Sequence, residues 1–462
     1  MNLGEKLSEE QQRAFEKFKN GNNIFLTGPG GTGKTKLIKN MTDWAYQNGK
    51  EFQVCSMTGC SALLLGYGAR TLHSWSGIKI AKGESHKIIN RAIKNKTAKK
   101  EWLRIRILIV DEVSMMNKKI FDIIEEIARD IKKNPFPFGG IQVVFTGDFY
   151  QLPPVPTPNE PKTEEFCFES DKWFSVFHPE NHLELKTIFR QNDPIYIKIL
   201  SQVRRGELDD ESIEILKKYV KREYDENENN GCFLTKLFPL RNRADFINET
   251  MFSRIEEPIQ KYPISILKNC RTYIETGQLI EPSLIQKMNE MTELEKENEI
   301  SKLISNSPFQ YELKLKKRTV VMCVTNLNMD LGICNGSQGV VIDFDEITKA
   351  PIVKFTNGII MKMPLTHIQT DDCPTIAIGQ YPLCWAWALT IHKIQGATLK
   401  MAQIDIGNSI FEYGQTYVAL SRIKSLEGLY LSAFNPFRIK SNPKVKNFYE
   451  KMENMLSNET QK

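Results

Sequence analysis

Short apolar runs alternate with amphipathic stretches through the first part of the chain. Residues 23–26 read as a buried strand, and residues 36–48 as a helix with Leu37, Ile38, Met41 and Ala45 on one face and Gly49 past its end. Residues 52–57, 107–112 and 141–146 read as further buried strands. Residues 121–131 read as an amphipathic helix with Ile123, Ile124 and Ile127 inward. Near the start, Ser8 followed by Gln11 has the spacing of a capping box opening a helix. The pattern is that of an α/β protein. A second region begins near Leu185, with a strand end at 235–239 leading into a helix through Ile247. Residues 288–301 form a charged helix expected to be solvated. From Leu313 the pattern turns β-rich, at 319–324, 339–343, 351–355 and 359–363, with Asn335-Gly336 and Asn357-Gly358 as turn signals. Strand–loop–helix character returns at 385–398, and the lysine- and asparagine-rich tail after Asn435 is expected to be peripheral.

Composition narrows this little. A chain of 462 residues should hold two or more domains, and 41% hydrophobic with 26% charged residues is ordinary for a globular protein. The net charge of +6 points only faintly to a polyanion, so local charge must decide. Nine scattered cysteines, without a C-x-x-C pair, argue against zinc and disulfides and suit a reducing, intracellular compartment. No run reaches transmembrane length, residues 383–391 being apolar but short, and the first residues match no signal or transit peptide.

Chemistry concentrates at Gly28-Pro29-Gly30-Gly31-Thr32-Gly33-Lys34-Thr35, which fits G-x-x-x-x-G-K-[ST] at every fixed position, between a strand and a helix. Glycines let backbone N–H groups approach phosphate oxygens, Lys34 would reach the β/γ-phosphates, and the Thr35 hydroxyl would hold Mg²⁺. The following helix offers its N-terminus to the anion. Strand 107–112 ends in Asp111-Glu112, the pair expected to hold Mg²⁺ and to activate the attacking water. Gln151, at the end of another strand, can sense the γ-phosphate. Gln11 is either a capping residue or an adenine contact. The loops at Thr58-Gly59 and at Thr71-Leu72-His73-Ser74-Trp75, with Phe149 and Tyr150, offer hydroxyl and aromatic groups for single-stranded nucleic acid. Between Lys79 and Arg106 ten basic residues face only Glu84 and Glu101, as either a solvated face or a surface tracking a nucleic-acid backbone.

These motifs, with Ile188-Phe189-Arg190-Gln191, Ala388-Leu389-Thr390-Ile391-His392-Lys393-Ile394-Gln395-Gly396 and Tyr417-Val418-Ala419-Leu420-Ser421-Arg422, resemble a superfamily-one helicase of the Pif-one/RecD type. Residues 138–142, running into Gly147-Asp148-Phe149-Tyr150-Gln151-Leu152-Pro153-Pro154, resemble the signature of the Pif-one branch. The resemblance implies two RecA-like P-loop NTPase domains, the first at 1–77 and 107–184 and the second at 185–331 and 376–435. It implies a basic arm or wedge inserted at 78–106, a small β-barrel inserted at 332–375, and a tail at 436–462. ATP and Mg²⁺ are the implied cofactors, and ATP-driven 5′→3′ unwinding of single-stranded and forked DNA the implied activity, in replication, repair or recombination. Lys34, Asp111, Glu112, Gln151, Arg190 and Arg422 are the implied catalytic set, the two arginines as fingers carried by the second motor half. Gln11, Gly28, Gly30, Gly31, Thr32, Gly33, Lys34, Thr35 and Gly396 would bind nucleotide, and Thr35 and Asp111 the metal. Thr58, Gly59, His73, Trp75, Phe149, Tyr150, Thr390, His392 and Lys393 would meet DNA. A monomeric motor without a long N-terminal extension is expected. One departure is Ile394, where the family has serine after the His-Lys pair. Two rival readings are an NTPase switch that does not unwind and a nucleic-acid-binding module with a vestigial ATP site.

Overall fold

The computed structural model describes residues 7–79, 81–224, 234–274, 277, 279–328, 331–369 and 373–459. The chain forms two compact units. The first takes Met1–Tyr219, Ile406–Glu427 and Ala433–Lys462, and the second Val220–Asp405 and Gly428–Ser432.

The first unit is built on six strands: β1 (Ile24–Thr27), β2 (Phe52–Ser56), β3 (Arg70–Thr71), β4 (Ile107–Asp111), β5 (Gln142–Thr146) and β6 (His182–Glu184). They form one sheet in the order β3-β2-β4-β5-β1-β6, with every neighbouring pair parallel. Burial on both faces explains why β1 and β4 are unbroken apolar runs. One face carries Leu37, Ile38 and Met41 of the helix Lys34–Gln47. The other carries an aromatic cluster that includes Phe25, Phe145, Phe149 and Trp173. Parallel strands put their C-terminal ends along one edge, where ligands of open α/β sheets bind. Here that edge holds the phosphate loop after β1, Asp111 at the end of β4, and Gly147-Asp148 after β5.

The basic segment 78–106 folds as two helices, Ser85–Lys94 and Lys96–Arg104. Ile88, Ile89, Ala92 and Trp102 bury into the core shared with the helix Lys118–Lys132. The arm is therefore anchored on one side and charged on the other. The tail is not peripheral. Its helix Pro443–Glu459 sends Val445, Phe448, Tyr449 and Met452 into the same core, with Phe448 stacked on Phe168 at 4.3 Å between ring centroids. A few such residues among many lysines suffice for burial, because they fall on one helical face.

The second unit holds β7 (Thr235–Phe238), β8 (Gln260–Pro263), β9 (Ser265–Leu267), β10 (Glu312–Leu315), β11 (Val320–Cys323), β12 (Gln338–Phe344) and β13 (Pro351–Phe355). It continues with β14 (Ile360–Lys362), β15 (Thr366–Gln369), β16 (Ala377–Gln380), β17 (Leu383–Trp385), β18 (Ala388–Thr390), β19 (Ala402–Ile406) and β20 (Leu429–Phe434). Its motor sheet has the order β18-β7-β19-β20, with β18 and β19 both parallel to β7. The expected barrel is instead an open antiparallel sheet, β14-β13-β12-β11-β17; among the described residues its edge strands β14 and β17 are not paired with each other. The stretch expected to be solvated is mostly exposed and has a narrow buried stripe. Met288 of Pro282–Asn289, with Ile300, Leu303 and Ile304 of Glu293–Asn306, packs on Ile368, Ile376 and Ile378.

Candidate active site

The phosphate loop is held from both flanks. Gln11 Nε2 donates to the Thr32 carbonyl at 3.0 Å, while Gln11 Oε1 accepts from Ser8 N–H at 3.1 Å. Gln11 therefore closes the capping box and touches the loop at once. On the other flank, Phe189 N–H donates to the Gly31 carbonyl at 2.9 Å. Gly31 has φ of +92°, and a Cβ there would come within 2.6 Å of Arg190 Cβ, so only glycine lets the arginine segment approach this closely. Lys34 Nζ donates to the carbonyls of Gly28 and Pro29 at 2.6 and 3.0 Å. Thr35 is exposed in the first turn of its helix.

Arg190 and Arg422 both lie in the same compact unit as the phosphate loop. Their segments meet the loops at the sheet edge, Phe189 at Gly31, Tyr417 at Gly30 and Gly414 at Gln151. Arg190 Nη1 and Gln191 Nε2 donate to the Ser421 carbonyl at 3.2 and 3.1 Å. Arg422 is buried, with Nε donating to the Val418 carbonyl at 2.8 Å and Nη2 to Ser421 Oγ at 2.7 Å. A Cβ on Gly30 would lie 3.6 Å from Arg422 Nη2, which places that guanidinium beside the loop. Tyr417 also reaches the loop: its hydroxyl accepts from Gly30 N–H at 2.8 Å.

Charge is concentrated here. Burial lowers the Lys34 ammonium from its ordinary value, against the opposing pull of Asp148, Glu112 and Asp111. Burial lowers Arg190 as well, and burial together with the Arg190 charge takes Arg422 down to about 9. Three cations thus crowd the phosphate loop in a setting where burial outweighs the nearby carboxylates, which suits a site for a polyanion. Burial raises the Asp111 carboxyl, although Thr146 Oγ1 donates a short hydrogen bond to Asp111 Oδ1. A divalent cation would reverse that shift, so Asp111 and Thr35 are a chemically suitable pair of oxygen donors for Mg²⁺. Glu112 follows with φ of +56°, uncommon for a residue with a side chain, and this turns the chain sharply after β4.

Arg204 and Tyr449 carry no local signature in the sequence, yet with Asp148 they brace the turn that carries Gln151. Arg204 Nε donates to Asp148 Oδ2 and its Nη2 to Asp148 Oδ1, each at 3.0 Å, and its Nη1 to Glu184 at 3.2 Å. Burial opposes the Arg204 charge, but Asp148 carries it well above the usual arginine value. The guanidinium lies over the stacked rings of Tyr150 and Tyr449. From the other side, Gly414 has φ of +71°, and a Cβ there would meet the Gln151 carbonyl at 2.4 Å.

The residues expected to meet DNA divide. Trp75 is buried at 1% exposure against Trp102, and Phe149 at 2% in the aromatic core, so neither ring is open to stack on a base. Their aromatic character reads the same in sequence for core and platform. Thr58 caps the helix Gly59–Leu65 through Ser61 N–H, and His73 is half-buried, its imidazole lowered by burial. In the second unit Thr390 ends β18, while His392 and Lys393 are exposed on the turn Ile391–Ile394 and Gly396 has φ of +84°. Ile394 is fully buried, which accounts for an apolar residue there.

The family model described as "PIF1-like helicase" matches residues 6–213, and "DNA helicase Pif1, 2B domain" matches residues 300–344. The crystal structure of the Pif1 helicase from Candida albicans is 31% identical, covers 97% of this chain and 100% of that chain, and superposes with a TM-score of 0.73. The chain belongs to the PIF1-like helicase family. The Pif1 helicase from Bacteroides in complex with ADP-AlF3 and single-stranded DNA is 26% identical over 97% of both chains, with a TM-score of 0.63. The ATP-dependent DNA helicase PIF1 of Xenopus laevis is 31% identical over 97% of this chain; the chain spans 65% of that protein's length, and similar shares of other animal and fungal relatives. The PIF1-like fold thus has two RecA-like domains, and no helix among the described residues is long and apolar enough to cross a membrane.

Proposed function

We propose that this chain is an ATP-driven DNA helicase that moves 5′→3′ along single-stranded DNA and opens forked duplexes. The observation that carries the reading is the convergence of Lys34, Asp111, Glu112, Arg190 and Arg422 around one phosphate loop, with Asp111 and Arg422 buried and the arginine segments packed against Gly30 and Gly31. Gln11, Gly396 and the loop N–H groups bind nucleotide. Thr35 and Asp111 hold Mg²⁺, which when bound neutralises phosphate charge and orients the leaving group. Glu112 accepts the proton of the attacking water, Gln151 reports the γ-phosphate, and the two arginines stabilise the charge of the transferring phosphoryl group. Thr58, Gly59, His73 and Tyr150 in the first unit, with Thr390, His392 and Lys393 in the second, bind DNA. Trp75 and Phe149 support the first set from within.

The test is ATP hydrolysis with and without single-stranded DNA, followed by strand displacement on forks tailed at either 5′ or 3′ ends. Strong DNA stimulation with unwinding only from the 5′ tail is expected. Stimulated hydrolysis without displacement would favour the NTPase switch instead.

A further inference from the structure

The C-terminal helix Pro443–Glu459 does more than complete a core. Tyr449 is 6% exposed, and its single phenolic oxygen has two partners, one ending a strand and one in a turn. It shares a hydrogen bond of 2.6 Å with the Thr27 hydroxyl, at the end of β1 where the phosphate loop begins. It also accepts from Phe149 N–H at 3.2 Å, in the turn between Asp148 and Gln151. Thr27 is fully buried, so this hydrogen bond is shielded from bulk solvent. The ring stacks on Tyr150 at 4.8 Å with the planes 8° apart, and the Arg204 guanidinium, 4.8 Å from the Tyr150 ring, lies 5.5 Å from its centre. Arg204 in turn fixes Asp148, the residue that opens the turn. Burial raises the phenol far above its ordinary value, so it stays protonated and can donate one bond while accepting another.

We propose that Tyr449 is a positioning residue for ATP hydrolysis, its hydroxyl setting the spacing between the phosphate loop and the turn that presents Gln151. The inference rests on the proposed ATPase function and adds to it a contribution from the C-terminal helix. Tyr449 touches no reacting atom. Its effect is on alignment, and small displacements of aligned groups are costly to rate: about 1 Å of misplacement can cost about a hundredfold.

The experiment uses the full chain with Tyr449→Phe, which keeps the ring and its stacking, beside Met452→Ala, which removes packing from the same helix without touching the bridge. DNA-stimulated turnover, KM for ATP and thermal midpoint are measured for each. Tyr449→Phe should lower kcat by about ten- to a hundredfold with KM for ATP changed by no more than about twofold. Met452→Ala should lose at least as much thermal stability while keeping most of its turnover. Thr27→Val removes the same hydrogen bond from its other end, and the double variant should be no worse than the more impaired single one. A Tyr449→Phe enzyme with turnover within about twofold of wild type, or one whose loss is matched by Met452→Ala at equal midpoint, overturns the inference. So does a double variant whose losses multiply. If Tyr449→Phe does not fold, Thr27→Val alone gives the same readout. A wild-type chain without ATPase would overturn the proposed function and this inference together, whereas an active wild type confines any failure to Tyr449.

Discussion

Single residues decide whether the phosphate loop is an engine or only a binding site. Arg190 and Arg422 donate to backbone carbonyls and to Ser421 Oγ, bonds that a γ-phosphate would replace with stronger, charge-assisted ones. Arg422→Ala, and separately Arg190→Ala, should keep single-stranded DNA binding and lose about 10³-fold or more of DNA-stimulated hydrolysis, with lysine rescuing poorly because it lacks the planar fork. Near-normal turnover in either variant would remove that arginine from the site. Away from the site, His182 offers a different test. Its Nε2 accepts from Trp173 Nε1–H at 2.9 Å, and burial lowers its pKa to about 4. Above about pH 6.5 both folded and unfolded chains carry it neutral, so no penalty exists there. As pH falls further the unfolded chain takes up a proton that the folded one refuses, and stability drops until pH reaches about 4. The loss should approach about 2 kcal/mol by about pH 5, discounted for solvent reaching the ring. Thermal unfolding between about pH 7 and about pH 5 should lose this slope in His182→Gln, compared at the same salt. Lys34 and Asp111 are legible in the sequence because a fixed spacing and a strand ending in carboxylates encode their chemistry, and Arg422 because its motif resembles the family's. The contacts of Arg204, Tyr417 and Tyr449 are not, because their partners lie 56, 387 and 422 residues away and no local pattern records such pairings.

Elements show the same division. Strands and helices of the first sheet are legible because each is an apolar run or a helical stripe with its own stop signal. The segment 78–106 is recognisable as basic, but not as a helix pair anchored by Ile88, Ile89 and Trp102. With its apolar side buried, Lys94, Lys96, Lys99 and Lys100 remain exposed, the last three at helical spacings that keep them on one face. A solvated face and a DNA-tracking face still share this geometry, and salt dependence separates them. Replacing all four lysines with serine should weaken single-stranded DNA binding and flatten the plot of log affinity against log salt by about 0.7 for each phosphate left unneutralised. An unchanged slope would return the arm to an ordinary solvated surface. Unwinding abolished with binding intact would instead assign the arm to strand separation. The tail helix escapes a reading of composition because its net polarity masks its periodicity: Val445, Phe448, Tyr449 and Met452 recur at intervals of three, one and three, which is a buried stripe.

Across the molecule, the route of the chain suggests how DNA and ATP communicate. It passes between the compact units at 219–220, 405–406, 427–428 and 432–433. The segment Ile406–Glu427, which carries Tyr417 and Arg422, therefore continues from β19 at one end and leads into β20 at the other. Both strands belong to the sheet whose β18 ends at Thr390, ahead of His392 and Lys393. DNA held at the proposed Thr390–Lys393 site would act on the sheet from which the arginine segment is strung, without any need for the DNA to touch ATP. Linkage between the two ligands by this route would be reciprocal. Glu112→Gln keeps the shape of the carboxylate but removes the base, so ATP should bind and remain intact long enough for equilibrium measurement. In that variant, ATP should change the affinity for single-stranded DNA by the same factor by which DNA changes the affinity for ATP, typically about 5- to 150-fold in coupled systems. Lys34→Ala should abolish turnover and reduce this factor towards one, while DNA binding without nucleotide largely survives. Fluorescence titration of each ligand at saturating levels of the other gives both factors. Equal factors well above one support a motor in which nucleotide state and DNA grip alternate. A factor of one in Glu112→Gln would mean that the ATP and DNA sites act independently, and translocation could not be driven through the arginine segment.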